Sequence, residues 1–122
     1  MLWEGKATFE YFSVELTPNH LELESIPGLS NFEVEVCVLK PVGSDGTSRV
    51  SVEPWWLESE KGEIQRPIEA RYEPAFPAKD ALEAGECTKG WLAFNNFGDT
   101  SVDYTYLIYQ NGLGERAVWS FH

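Results

Sequence analysis

The chain has 122 residues, enough for one domain with a sizeable core, and its nine Lys and Arg against twenty Asp and Glu leave a net charge of −11. So few, scattered cations exclude a phosphate-neutralising nucleic-acid face and disfavour adsorption to anionic lipid; no apolar run approaches the ~20 residues of a membrane span. A composition that is 43% hydrophobic, with five Trp, five Tyr and seven Phe, excludes disorder.

The first residues, MLWEGKATFEYF, lack a basic stretch followed by an apolar one, so no signal peptide is read there. Lys6 to Leu16 reads as a strand whose apolar phase changes: Ala7, Phe9 and Tyr11 give way to Phe12, Val14 and Leu16. A bulge near Tyr11 would reconcile them. Breaks follow at Thr17 to His20 and at Ile26-Pro27-Gly28. Asn31 to Lys40 is the clearest strand: Phe32, Val34, Val36 and Val38 share one face, and Glu33, Glu35, Cys37 and Leu39 the other.

Pro41 to Ser48 is a turn region. Arg49 to Ser59 then carries Val50 and Val52 before Pro54, Trp55, Trp56 and Leu57. Pro54 cannot donate to a ladder, so it marks an edge or a bulge. Ser59 to Gly62 turns the chain, and Glu63 to Ile68 can return as a hairpin arm. Glu73 to Pro77 is a further break, and Ala78 to Ala84 is the one helical candidate, of one or two turns, stopped by Gly85. Three strands complete the chain: Glu86 to Asn95, Ser101 to Gln110 and Glu115 to Phe121. The NGLG link between the last two is a hairpin signal. Turn signals every 8–12 residues and no linker or repeat predict a single domain over 1–122. The expected fold is an all-β, two-sheet antiparallel sandwich of seven to eight strands, with at most one short helix near 78–84. A closed barrel is the alternative.

Leu82-Glu83-Ala84-Gly85-Glu86, Lys89 to Phe94 and Tyr104 to Tyr109 resemble a recurrent bacterial pattern. It consists of Leu-x-x-Gly-Glu, a Gly-apolar-x-x-Phe strand and a Tyr/Leu-rich penultimate strand. The pattern belongs to the immunoglobulin-like "immunoprotective extracellular protein" superfamily of secreted or lipid-anchored domains. The resemblance covers residues 82 to 121. It implies an immunoglobulin-like sandwich, an extracellular or envelope location, and no catalytic residues to carry over. The export signal and polar tether common in that family are not seen in this chain, and a cytoplasmic location is the alternative.

Cys37 and Cys87 are too few for a zinc site. They are either two separate thiols or one disulfide. In an immunoglobulin-like order the strands at 31–40 and 86–95 are neighbours. If Leu92 and Phe94 point inward, both thiols point outward, and the geometry permits a cross-strand bond where the Cα atoms lie about 4.4–6.8 Å apart. Such a bond implies an oxidising compartment.

Catalytic signals are sparse. His20 reads as a solvated turn residue and His122 as a terminal one, and no GxSxG, HExxH or P-loop occurs. Ser44 to Ser48 and Asn96 to Thr100 contain single carboxylates that suit tight turns better than Ca²⁺. No catalytic residue, metal or cofactor is therefore expected. Glu22/Glu24 and Glu33/Glu35 each line one strand face, which like-charge repulsion keeps wet.

The aromatic residues exceed what a thin core needs. Adjacent Trp55 and Trp56 must face opposite ways on a strand. Trp91 shares the parity of Cys87 and Lys89, and Tyr109 lies opposite Tyr104 and Tyr106. Trp55, Trp56, Trp91 and Tyr109 are the candidate surface-recognition residues, with rim packing as the competing reading. The expected function is a non-catalytic interaction or accessory domain of the bacterial envelope or secreted fraction, contacting a protein or glycan partner. It would be a monomer or weak dimer. The alternatives are a carbohydrate-binding module using exposed Trp and Tyr, and a cytosolic accessory protein or small enzyme.

Overall fold

Alternation of β-branched and aromatic residues with polar ones builds strands throughout, and the described residues contain eleven strands and no helix. The computed structural model describes residues 5–16, 29–70, 72–95 and 104–120. In chain order the strands are β1 (Gly5–Thr8), β2 (Phe12–Leu16), β3 (Leu29–Val38), β4 (Thr47–Arg49), β5 (Trp55–Ser59), β6 (Ile64–Gln65), β7 (Pro67–Ile68), β8 (Ala81–Glu83), β9 (Cys87–Asn95), β10 (Tyr104–Gln110) and β11 (Arg116–Ser120). Antiparallel pairing gives a five-stranded sheet β1-β2-β3-β9-β7, a four-stranded sheet β11-β10-β5-β6 and a two-stranded pair β4-β8. The two larger sheets form a β-sandwich.

The core lies between these sheets. From the first come Phe12, Val14, Leu16, Phe32, Val34, Val36, Val38, Leu92 and Phe94, and from the second Trp55, Leu57, Leu107, Tyr109, Ala117 and Trp119. The alternation read in residues 31–40 is therefore the real inward face of β3. Each Val, Leu or Phe among them contributes about 1.5–3 kcal/mol on full burial.

Four local expectations are corrected. The phase change near Tyr11 is a chain reversal, not a bulge. Gly5 pairs with Leu16 and Thr8 with Ser13, and Phe9 N–H donates to Phe12 O at 2.9 Å. The helical candidate at 78–84 is strand β8, which pairs with β4 and buries Leu82 completely. A one- or two-turn helix has too few hydrogen bonds to offset its nucleation, so pairing and burial override propensity. Gly85, at φ +85°, serves the turn between β8 and β9, where Glu86 N–H donates to Glu83 O at 3.0 Å. Pro54 precedes β5, which is an inner strand rather than an edge, and its carbonyl accepts from Gln110 N–H at 2.9 Å. Finally, the return arm at 63–68 divides. β6 pairs with β5, whereas β7 pairs with β9 in the opposite sheet, and Arg66 lies between them.

The NGLG hairpin forms as expected. Asn111 N–H donates to Glu115 O at 3.1 Å, Gly114 N–H to Asn111 O at 3.1 Å, and Gly114 holds φ +85°. This is the three-residue loop with a left-handed glycine.

Gly90 has a different reason. The segment after β7 comes back along the free edge of β9, where Trp91 N–H donates to Pro74 O at 2.9 Å and Phe76 N–H to Trp91 O at 3.0 Å. A Cβ on Gly90 would stand 2.7 Å from the Phe76 Cα. The missing side chain thus admits backbone, and that backbone delivers the Phe76 ring to the core. Gly90→Ala is expected to destabilise by about 1–3 kcal/mol, as overpacking does, read as a lower urea midpoint at unchanged m-value.

Candidate functional site

The two sheets present very different outer faces. Strand register shows this on the five-stranded sheet. One row across it is Thr8, Ser13, Cys37 and Cys87, and the next is Lys6, Glu15, Glu35 and Lys89. The carboxylates of the Glu33/Glu35 face are thus not simply repelling neighbours, since Lys89 stands opposite Glu35. Cys37 and Cys87 are joined in a disulfide, with Cα atoms 4.0 Å apart, a little shorter than the usual span. The adjacent pair carries the ladder bond, Val38 N–H to Glu86 O at 3.0 Å. The cysteines therefore occupy the closer, non-hydrogen-bonded position of the ladder. Glu35, Cys37 and Cys87 bring their ligand atoms within 4.8 Å of one another, but sulfurs bonded to each other are not thiolate ligands. As folded, this cluster does not fit a metal.

Trp91 lies on this outer face, as its parity predicts, but the structure corrects its exposure. It is buried, with Tyr72 against it at 5.0 Å between ring centroids. The segment that pairs along the edge of β9 also covers the indole. Glu69, Ala70, Tyr72, Glu73, Pro74 and Ala75 line a shallow cleft of about 650 Å³ on that segment.

Tyr109 is likewise corrected from surface to core, and of the candidate pair Trp55 and Trp56 it is Trp55 that faces inward. Trp55 is fully buried. It stacks on Trp119 at 5.8 Å and meets Tyr109 at 5.0 Å and Phe76 at 6.0 Å. Tyr109 faces inward with Leu107. Both faces of β10 are apolar, so its alternation carries no phase. Burial pushes the Tyr109 phenol up to about 12, against the opposing effect of its bond from Asn111 Nδ2 at 3.1 Å. Asn111 Nδ2 also donates to Glu115 Oε1 at 3.1 Å, and Glu115 Oε2 accepts Tyr11 N–H at 2.9 Å. This chain of bonds ties the β10–β11 hairpin to the β1–β2 turn.

Trp56 alone of the four stays on an accessible face. On the outer side of the four-stranded sheet, Val118, Ile108 and Trp56 lie side by side, and Tyr106, Glu58 and Ile64 form the next row. Val118 and Ile64 are each 49% exposed, while Trp56 and Tyr106 are half-buried. Trp56 is oriented on both sides: Nε1 donates to Glu58 Oε1 at 3.1 Å, and the Arg66 guanidinium sits 5.3 Å from the ring centroid. Such a cation–π contact is worth about 0.5–1 kcal/mol at an exposed site. Arg66 also donates to Glu53 O at 3.0 Å, and Arg116 borders the patch with a 2.6 Å bond to Gln110 Oε1. Ile64, Tyr106 and Val118 were not singled out from the sequence. The signal present was the parity of Tyr106 with Ile108, which shared a face opposite the one that enters the core.

The remaining polar features are structural. Asp45 Oδ1 accepts Thr47 Oγ1 at 2.7 Å and Thr47 N–H at 3.1 Å, and these bonds hold its carboxyl below the ordinary value. It is a turn residue. Glu86 accepts Glu83 N–H at 2.8 Å and Lys79 Nζ at 2.9 Å, and its carboxyl is lowered by these two bonds. His20, His122, the Glu22/Glu24 pair and the Asn96 to Thr100 loop lie outside the described residues.

These elements define a β-sandwich with one charged, disulfide-linked outer face and one apolar outer face. Two solved structures share the fold. The secreted protein MPT63 of Mycobacterium tuberculosis superposes with a TM-score of 0.64 at 16% identity, over 98% of this chain and 92% of that one. A functionally unknown protein from Listeria monocytogenes EGD-e superposes with a TM-score of 0.62 at 10% identity, over 96% and 80%. At these identities the likeness is one of fold alone. No protein-family model matches the sequence, and no curated protein matches it.

Proposed function

We propose that this chain is an exported, non-catalytic recognition domain of the immunoglobulin-like sandwich type, and that it binds a protein partner through the outer face of its four-stranded sheet. The contrast between the two outer faces carries this reading. One bears a row of charged residues and a disulfide. The other presents Val118 and Ile64 around the half-buried Trp56 and Tyr106, with Arg66 and Arg116 beside them. An aromatic and aliphatic centre with an arginine rim is the composition of contact surfaces rather than of solvated sheet. Export is supported by the disulfide, which persists in oxidising compartments, and by the likeness in fold to a secreted protein.

A photo-crosslinking residue at Val118, compared with one at Lys6 on the opposite face, tests the assignment in the producing cells. A discrete protein adduct from the Val118 position and none from Lys6 is expected. No adduct, or the same adducts from both faces, would overturn it. The position of Trp56 on a flat face beside Tyr106 also favours a second reading, a sugar-stacking platform. Under that reading soluble glycans quench tryptophan fluorescence in the native protein and fail to do so in Trp56→Ala.

A further inference from the structure

We propose that the Cys37–Cys87 bond is a thiol–disulfide exchange site, a couple that an external dithiol opens and an external disulfide closes while the sandwich stays folded. Both sulfurs project from the outer face of the five-stranded sheet. Cys87 is exposed and Cys37 half-buried, so a reductant reaches the bond without the chain opening. The strands it joins do not depend on it for their register. β3 and β9 pair through nine consecutive rungs, from Leu29–Asn95 to Cys37–Cys87, and the disulfide is the last of them. Their inward residues, Val34, Val36, Val38, Leu92 and Phe94, belong to the core. Opening the bond therefore removes no side chain from the core, and it leaves two thiols facing each other on paired strands, placed to close again.

The charges beside the bond are mixed, and the Glu35 carboxylate, within 4.8 Å of both sulfurs, repels an attacking thiolate. The protein is strongly acidic and would repel thiolates in general. On this face, however, Lys89 follows Cys87 by two residues and lies on the adjoining row, opposite Glu35. Placed opposite Glu35, Lys89 offsets part of that carboxylate's charge. In the exchange, a thiolate of the dithiol attacks Cys87 Sγ. The Cys37–Cys87 bond breaks, the Cys37 thiolate leaves and takes a proton, and a mixed disulfide forms on Cys87. The second thiol of the reagent attacks that mixed disulfide on the reagent's own sulfur and expels the Cys87 thiolate, which is protonated. The reagent leaves as its cyclic disulfide, and the protein has gained two electrons and two protons.

The test uses the oxidised native chain, dithiothreitol without denaturant, and a colorimetric thiol count after the reagent is removed. Two thiols per chain are expected, with far-UV circular dichroism and tryptophan emission unchanged, and oxidised glutathione should return the count to zero. Lys89→Gln should slow thiol release several-fold, whereas Lys61→Gln, in the remote β5–β6 turn, should not. Thiols that appear only in denaturant, or together with loss of the β-sheet signal, would overturn the proposal. An unchanged rate in Lys89→Gln would overturn the role given to that lysine.

Discussion

Trp55→Ala is expected to destabilise the domain by about 3–5 kcal/mol, the range for truncating a large buried aromatic. For a domain whose total stability is on the order of 5–15 kcal/mol, this leaves a marginal fold. The magnitude follows from position. Trp55 is fully buried and its ring is the common neighbour of Phe76, Tyr109 and Trp119. It thus joins β5, β10, β11 and the segment that crosses the open edge between the sheets. Two of the neighbouring rings, Tyr109 and Trp119, come from paired strands that resist collapse into the hole, and the cavity adds to the lost transfer energy. Trp55→Phe should recover much of this loss. Among the described residues Trp55 Nε1 is buried without a hydrogen-bond partner, and an unsatisfied buried donor costs about 1–3 kcal/mol. Phenylalanine keeps an aromatic ring and removes that donor. Urea titrations followed by circular dichroism should therefore rank the midpoints as native, Trp55→Phe, Trp55→Ala. A native-like midpoint for Trp55→Ala would show that the cluster is not the centre of the core.

Strand alternation made the sandwich legible, but only where one face was polar. Residues 31–40 alternate without ambiguity, and β3 points its valines inward as read. Leu92 and Phe94 follow the same logic on β9. In β5 and β10 both faces are apolar, and period-two reasoning has no phase to fix. That is why the sequence points Tyr109 outward and does not decide which of Trp55 and Trp56 faces the core. Trp91 was given the correct face and the wrong exposure, because its cover is Tyr72, a contact across a chain reversal. Non-local pairing also decided the chain reversal at Tyr11 and the strand at 81–83. No local signal separates a bulge from a two-residue hairpin there, or a short strand from a helical turn. The accessible patch around Trp56 depends on the register of four strands at once, which only the fold supplies.

Replacing both cysteines, as Cys37→Ser with Cys87→Ser, is expected to lower stability by about 4 kcal/mol, from loop-closure entropy alone. The bond closes a loop of 50 residues, so its loss acts chiefly by releasing the unfolded chain. Little native energy changes, since the pair lies on the outer face and leaves no cavity in the core. The double variant should therefore keep the native circular dichroism at room temperature while its denaturant midpoint falls. The reduced wild-type chain should match it, since both lack the same constraint. Kinetics shows at which step the constraint acts. A constraint on the unfolded state slows refolding of the variant only where the β3–β9 pairing forms in the transition state. That pairing joins distant parts of the chain and its inward face is the largest contribution to the first sheet's side of the core. Slower refolding with a nearly unchanged unfolding rate is thus the expected chevron. A variant that unfolds faster at an unchanged refolding rate would instead show that the β3–β9 pairing forms after the transition state.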